Sequence, residues 1–427
     1  MTLDERVTVI GSGYVGLTAG ACLASIGHVV TCVDHDAGLI AALRQGRTSL
    51  AEPDLESLIQ RGIYAQTLSF DTSVEEAVRA SDIVLLCLPT PSMPNGAADL
   101  TAICDMIARI RHLLLPDSVL VMKSTVPVGT NEKVGAWMGR TDIAIVSNPE
   151  FLREGHTVYD FLHPHRVLIG ADDPAAGKRV ASLYDAVRAQ IIFTDPATAE
   201  LAKYAANSYL ATKISYINTV AELCEAFGGN MSDLNHVLGT DPRIGADYLQ
   251  PGPGWGGPCL PKDAHALLRQ AWHAGVEFPV LASAIESNGH HQRRVIARLR
   301  EALGAELKGL RIAVLGLTFK AGTNDTRDSP ALRIARAAVE CGAVVTAHDP
   351  TVQGLVPGIT VAVTPYDAAK NADGLVLLTD WPEYPNLDWE AIATAMTGDV
   401  VVDTRNVLDR SRLVEAGLKV STWGGLC

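Results

Sequence analysis

Residues 6–36 read "RVTVIGSGYVGLTAGACLASIGHVVTCVDHD", and this run restricts the fold more than any other part of the chain. A β-branched segment stops at Gly11, an Ala-rich segment follows Gly16, and a second β-branched segment ends in Asp34. The order predicts strand, tight turn, helix and strand, the opening unit of a parallel sheet covered by helices. Gly11, Gly13 and Gly16 form G-x-G-x-x-G at the turn. The first permits the bend, the second lets the backbone approach a pyrophosphate, and the third lets helix and strand pack closely. Ser12, Tyr14 and Val15 fill the turn, where backbone N–H groups and the helix dipole favour an anion. Asp34 lies about twenty residues after the turn begins, where its carboxylate can accept from both ribose hydroxyls and repel a 2′-phosphate. No arginine follows it closely, so NAD is expected rather than NADP.

The same alternation continues through "DIVLLCLPT", "SVLVMKST", "IAIVSNPE" and "HRVLIGA", which read as further strands of one parallel sheet. A weaker copy of the opening starts at residue 310. There "LRIAVLGLTFKAGTNDTRDSPALRIARAAVECGAVVTAHDP" again runs strand, loop, helix, strand, with a long polar loop in place of the three-glycine turn. Residues 196–228 read as one helix, with Asp195-Pro196 as cap and first residue and Gly228-Gly229 as the stop. Such a helix crosses between domains or pairs with a second subunit. The expected architecture is α/β, with two Rossmann-like doubly wound parallel-sheet domains joined by a long central helix and a helical middle region. Its divisions are 1–195 for NAD, 196–303 for the central dimerisation segment, and 304–427 for the second Rossmann-like domain.

A net charge of −13 argues against nucleic acid or an anionic membrane as the main partner. Eight cysteines without a CxxC pair suggest unpaired thiols in a reducing compartment. The chain enters a strand within a few residues, and no apolar run reaches the length of a membrane span. A cytoplasmic protein is expected.

One cysteine is out of pattern. Cys32 and Cys87 sit in apolar strands, whereas Cys259 lies in "GWGGPCLPKD", whose glycines and prolines forbid regular structure. That sulfur is either turn packing or a thiol presented for chemistry. His290 and His291 in "NGHHQRR", like His163 and His165 in "HPH", lack ligand-spaced partners and read as solvated or loop histidines, with no metal expected.

Six stretches together, "GSGYVGL", "PTP", "STVPVGT", "NPEFLREG", "KYAAN" and "GGPCLPKD", resemble the nucleotide-sugar 6-dehydrogenase family, and "LTFKAGTNDTRDSP" and "DTRN" extend the likeness to the last domain. The resemblance implies a C-terminal nucleotide-sugar domain, a homodimer through the long helix, and a four-electron oxidation of CH₂OH to carboxylate with two NAD⁺. The UDP-glucose branch fits best. Cys259 then matches the nucleophile that forms a thiohemiacetal and thioester. Lys203 and Asn207, four apart on one helix face, would stabilise oxyanion charge. Asp263 would partner the lysine, while Glu150 and Thr125 would position base and water. Pro89, Thr90, Thr125, Glu154, Lys262 and Arg327 are implied at the cofactor. Glu150, Phe151, Leu152, Arg153, Glu154, Lys203, Asn207, Arg243, Tyr248, Gly254, Gly256, Phe319, Lys320 and Arg405 are implied at the sugar nucleotide.

The chain departs from the family pattern at Leu39, near the expected adenosine ribose, and at Trp255 and Pro258, beside the cysteine. The first bears on a cofactor contact, and the two beside the cysteine keep TDP-glucose, GDP-mannose and UDP-N-acetylmannosamine open as substrates. From another class, a non-catalytic nucleotide-sugar sensor would retain the fold without turnover.

Overall fold

The computed structural model describes residues 5–424, so Cys427, one of the expected unpaired thiols, lies outside the described residues. The chain divides into two compact units. One holds residues up to Ala206 together with His265–Ala274, and the other holds Asn207–Ala264 together with Gly275 onward.

The first unit contains an eight-stranded sheet. Its strands are β1 (Arg6–Ile10), β2 (Val29–Val33), β3 (Leu68–Asp71), β4 (Ile83–Leu86), β5 (Val119–Met122), β6 (Ala144–Ser147), β7 (Arg166–Ala171) and β8 (Gln190–Thr194), ordered β3-β2-β1-β4-β5-β6-β7-β8. Alternate residues point to opposite faces, and both faces are apolar. Val7, Val9, Ile83 and Leu85 enter one core, while Ile10, Val84 and Leu86 enter the other. One expectation needs correcting: the sheet is not wholly parallel, because β7 runs antiparallel to β6, with Val146 opposite Ala171. The chain leaves β6 through a loop and the short helix Thr157–Leu162, and returns beside it without the full crossover that a parallel neighbour requires.

The second unit repeats the winding with β9 (Arg311–Leu315), β10 (Val344–His348), β11 (Thr360–Val361), β12 (Gly374–Leu377), β13 (Val400–Asp403) and β14 (Lys419–Thr422), ordered β11-β10-β9-β12-β13-β14. In each unit the winding reverses beside the first strand, between β1 and β4 and between β9 and β12. Open α/β sheets bind ligands outside the carboxyl ends of strands at such a reversal.

The two openings correspond in detail. Gly11 N donates to Val33 O at 2.8 Å, and Gly316 N donates to His348 O at 2.8 Å. Their endings differ. Asp349, the counterpart of Asp34, is buried and accepts from Leu317 N, Thr318 N, Thr318 Oγ1 and Trp381 Nε1 at 2.8–3.2 Å. That carboxylate is committed to its own fold.

The long helix spans Pro196–Phe227, 32 residues. Asp195 caps it, accepting from Thr198 N at 2.8 Å, and Gly228 ends it at φ +70°. Helices Met231–Thr240, Leu260–His273 and Pro279–Leu303 follow. Among the described residues, no helix is long and apolar enough to cross a membrane.

Candidate active site

The glycine turn has the shape a dinucleotide needs. Gly11 sits at φ +98°, and a Cβ on Gly16 would lie 1.8 Å from Gly11 O, so neither position admits a side chain. Above Gly13 there is open space. Gly13 caps helix Tyr14–Ser25 without a side-chain hydrogen bond, and the first turn carries no acid. Asp34 Oδ2 accepts from Ser12 N at 2.8 Å, which fixes the carboxylate beside the turn. Ser12 Oγ is buried with no hydrogen-bond partner among the described residues. An orphaned hydroxyl beside an open glycine and an uncapped helix start fits a bound pyrophosphate. Leu39 is half-buried and packs against the adjoining core.

Further along the same sheet, Thr90 Oγ1 donates to Thr125 O at 2.8 Å and Ser124 Oγ donates to Leu88 O at 2.7 Å, joining two of the sequence motifs. A residue that sequence reading missed holds the second one. Glu200, on the long helix, accepts from Gly129 N at 2.6 Å and Asn131 N at 2.7 Å, at the start of helix Thr130–Met138. Burial raises the pKa of Glu200 despite these amide donors. One turn later Lys203, 4% exposed, reaches Glu150 Oε1 at 3.1 Å. Glu150 Oε2 also accepts from Leu152 N, and the ring of Phe151 lies 5.3 Å from the ammonium. Glu52, also missed, pins the end of this segment through Gly155 N and Thr157 N. The signal for Glu200 was in the sequence: 200, 203 and 207 share one helical face.

In the second unit, Asn207 Nδ2 donates to Asp263 Oδ2 at 2.6 Å and Lys262 Nζ to Oδ1 at 2.7 Å. Asp263 is 1% exposed. Its N–H donates to Cys259 O at 2.9 Å, the first bond of helix Leu260–His273, so Cys259 is the N-cap residue. Cys259 is the only exposed cysteine among the seven described, none of which forms a disulfide. Burial pushes the Cys22 and Cys87 thiols up to about 12, and Cys32 higher still. Those sulfurs are packing.

The loop before Cys259 is anchored from several sides. A Cβ on Gly257 would meet the Phe319 ring at 2.7 Å, and one on Gly252 would meet the Arg405 guanidinium at 3.0 Å. Gly256 lies as tightly against the backbone of Asp328. Asn288 pairs with both backbone groups of Trp255 at 2.9 Å, and the Trp255 indole donates to Ser215 Oγ at 2.8 Å. Trp255 is therefore a buried packing residue with a satisfied N–H. Arg405 is shaped by Asp403, which accepts from Arg405 N, and by Leu378 O, which accepts from Arg405 Nε at 2.9 Å. Lys320 Nζ lies 5.7 Å from the Phe319 ring, and Gly254 and Tyr248 hold positive φ values of +116° and +62°.

Three arginines expected at ligands pair with neighbouring acids: Arg153 with Asp160, Arg243 with Asp241 and Arg327 with Asp325. Lys262, expected at the cofactor, pairs with Asp263, while Glu154 is half-buried and Pro89 exposed. His291 corrects the histidine reading: it is a helical residue, 3% exposed, and not solvated.

Residues 5–188 match the NAD binding domain of the UDP-glucose/GDP-mannose dehydrogenase family, residues 197–290 its central domain, and residues 313–410 its UDP binding domain. The UDP-glucose 6-dehydrogenase of Rhizobium meliloti is 39% identical, over 98% of this chain and 99% of that protein. Among solved structures, a UDP-glucose dehydrogenase from Pyrobaculum islandicum superposes with a TM-score of 0.90 at 35% identity, covering 99% of this chain and 98% of its own. A UDP-D-ManNAc dehydrogenase from Pyrococcus horikoshii gives 0.89 at 27% identity, with coverage of 98% and 99%.

Proposed function

Since the chain belongs to the UDP-glucose/GDP-mannose dehydrogenase family, we propose that it oxidises the C6 alcohol of UDP-glucose to the carboxylate of UDP-glucuronate, with Cys259 as nucleophile. NAD-dependent oxidation of a nucleotide sugar follows from membership. UDP-glucose as the sugar is supported by the relatives of higher identity, 39% and 35%, against 27% for the UDP-D-ManNAc enzyme.

The observation that carries the mechanism is the exposed thiol at the N-cap of helix Leu260–His273, one turn from the buried Asp263. The positive end of a helix favours the thiolate. NAD⁺, when bound at the Gly11–Gly16 turn, supplies the hydride acceptor. In the first oxidation the hydroxyl proton passes to a base, for which Glu150 is assigned, as hydride leaves C6. Lys203 and Asn207 hold the developing oxygen charge. The Cys259 thiolate then adds to the aldehyde, forming a C–S bond and a thiohemiacetal. Loss of a second hydride to a second NAD⁺ gives the thioester. Water then cleaves the C–S bond and returns the thiolate. Each sugar thus consumes two NAD⁺ and one water and releases two NADH and three protons.

Arg405 and Phe319, which flank the cysteine loop, are assigned to the sugar nucleotide, because a guanidinium suits a diphosphate or carboxylate. The exposed apolar residues Tyr209, Tyr216, Leu223 and Phe227 recur at spacings of seven, seven and four along the long helix, which supports a homodimer seam there. A reducing cytoplasmic compartment suits a chain whose chemistry needs a reduced thiol.

A substrate panel tests the reading. NADH formation with UDP-glucose, TDP-glucose, GDP-mannose and UDP-N-acetylmannosamine should give the highest kcat/KM for UDP-glucose, by about tenfold or more. A different leading sugar would replace UDP-glucose, and no NADH from any of them would favour a sensor.

A further inference from the structure

His291 lies in helix Pro279–Leu303, and both its ring nitrogens face oxygens that only accept. Nδ1 is 3.2 Å from Glu222 Oε1 on the long helix, and Nε2 is 2.7 Å from Gly252 O in the cysteine loop. A neutral imidazole has one N–H, so one of these oxygens would face a lone pair. The imidazolium satisfies both. Its surroundings accommodate the charge. Arg294 holds the other Glu222 oxygen at 3.3 Å, and Glu225 pairs with Arg298. Hydrogen bonding to His291, with the nearby arginines, keeps the Glu222 carboxyl below its usual range. The Trp423 ring packs on the imidazole at 4.6 Å, with Arg298 on the tryptophan at 4.2 Å.

Gly252 connects this buried charge to the proposed binding surface. Its N–H donates to Asn218 Oδ1 at 2.9 Å, its carbonyl accepts from His291, and the Arg405 guanidinium lies against its Cα. We propose that His291, as an imidazolium held between Glu222 and Gly252, is a positioning residue that fixes the cysteine loop for binding of the sugar nucleotide. This rests on the assignment of Arg405 and the 250–257 loop to that ligand. Deprotonation removes the charged donor to one acceptor, loosens Gly252 and weakens sugar-nucleotide binding, while the NAD turn is untouched.

The test has two independent readouts. Nitrogen-15 spectra of histidine-labelled protein, with the His291 signal identified by its absence in His291→Gln, should show both ring nitrogens protonated at neutral pH. One unprotonated nitrogen would overturn the proposal whatever the protein oxidises. Calorimetric titration with UDP-glucose, without NAD⁺, should show affinity falling with pH in wild type. His291→Gln should bind about tenfold more weakly at the lower pH and lack that dependence. Glu222→Gln, which preserves the shape and removes the carboxylate charge, should move the dependence to lower pH. In steady state the loss in His291→Gln should fall on KM for UDP-glucose and leave KM for NAD⁺ within about twofold. Wild-type affinity and pH profile in a folded His291→Gln protein would reduce His291 to packing. Failure of wild type to bind UDP-glucose would remove the substrate assignment, and the nitrogen spectra would still decide the charge.

Discussion

At the residue scale, what separates Cys259 from the other described cysteines is its place at a helix start. Cys22, Cys32 and Cys87 are held neutral by burial, whereas Cys259 is exposed where backbone N–H groups converge. Cys259→Ser keeps nearly the same volume, so the fold and UDP-glucose binding should survive. The second oxidation should fall by about three orders of magnitude or more, because a serine hydroxyl is barely ionised near neutral pH and its ester is cleaved slowly. Rapid-quench mass spectrometry of wild type should find a sugar adduct on Cys259, and near-normal acid production by the variant would end the covalent role. A second residue controls stability. Burial keeps His348 below its ordinary imidazole pKa, so the folded state resists a proton that the unfolded chain accepts. Its contribution is present above pH of about 6.5 and lost as pH falls through that value towards the folded pKa. Urea midpoints should therefore decline on acidification more steeply in wild type than in His348→Gln; parallel curves would remove this contribution.

At the scale of elements, the long helix places three polar groups on one face, each tied to a different motif. Glu200 holds the amides of Gly129 and Asn131, Lys203 meets Glu150, and Asn207 meets Asp263. Glu200→Ala leaves the buried Asn131 amide and the part-buried Gly129 amide without an acceptor and should cost about 2 kcal/mol of stability. Chemical denaturation reads this directly, and an unchanged midpoint would show that the loop before helix Thr130–Met138 needs no such anchor. Much of this element was legible in advance. Asp195, Pro196 and Gly228 bound the helix, and the spacing of Lys203 and Asn207 is local. Glu200 was harder to see, because its partners lie 69 and 71 residues away and are backbone amides that carry no sequence signature. His291 was hidden for a similar reason, since one of its partners is the carbonyl of Gly252 and the other, Glu222, lies 69 residues away. The reversal at β7 also left no trace, because a strand buried on both faces reads alike in either direction.

At the scale of the whole molecule, the chain has two doubly wound units with the same winding and different duties. The first retains an open turn beside Asp34, fit for a dinucleotide. The second seals the equivalent carboxylate of Asp349 into its own core and presents a long loop and Arg405 instead. The glycine pattern made that division readable, because only in the first unit does the turn after the opening strand carry three glycines at the required spacing. An enzyme that stopped at the aldehyde would need the dinucleotide turn and a base but no nucleophilic thiol. The yield of reduced cofactor therefore separates the two possibilities. With limiting UDP-glucose and excess NAD⁺, absorbance at completion should correspond to two NADH per sugar, with little free aldehyde; one NADH per sugar, with aldehyde accumulating, would contradict the four-electron oxidation through Cys259.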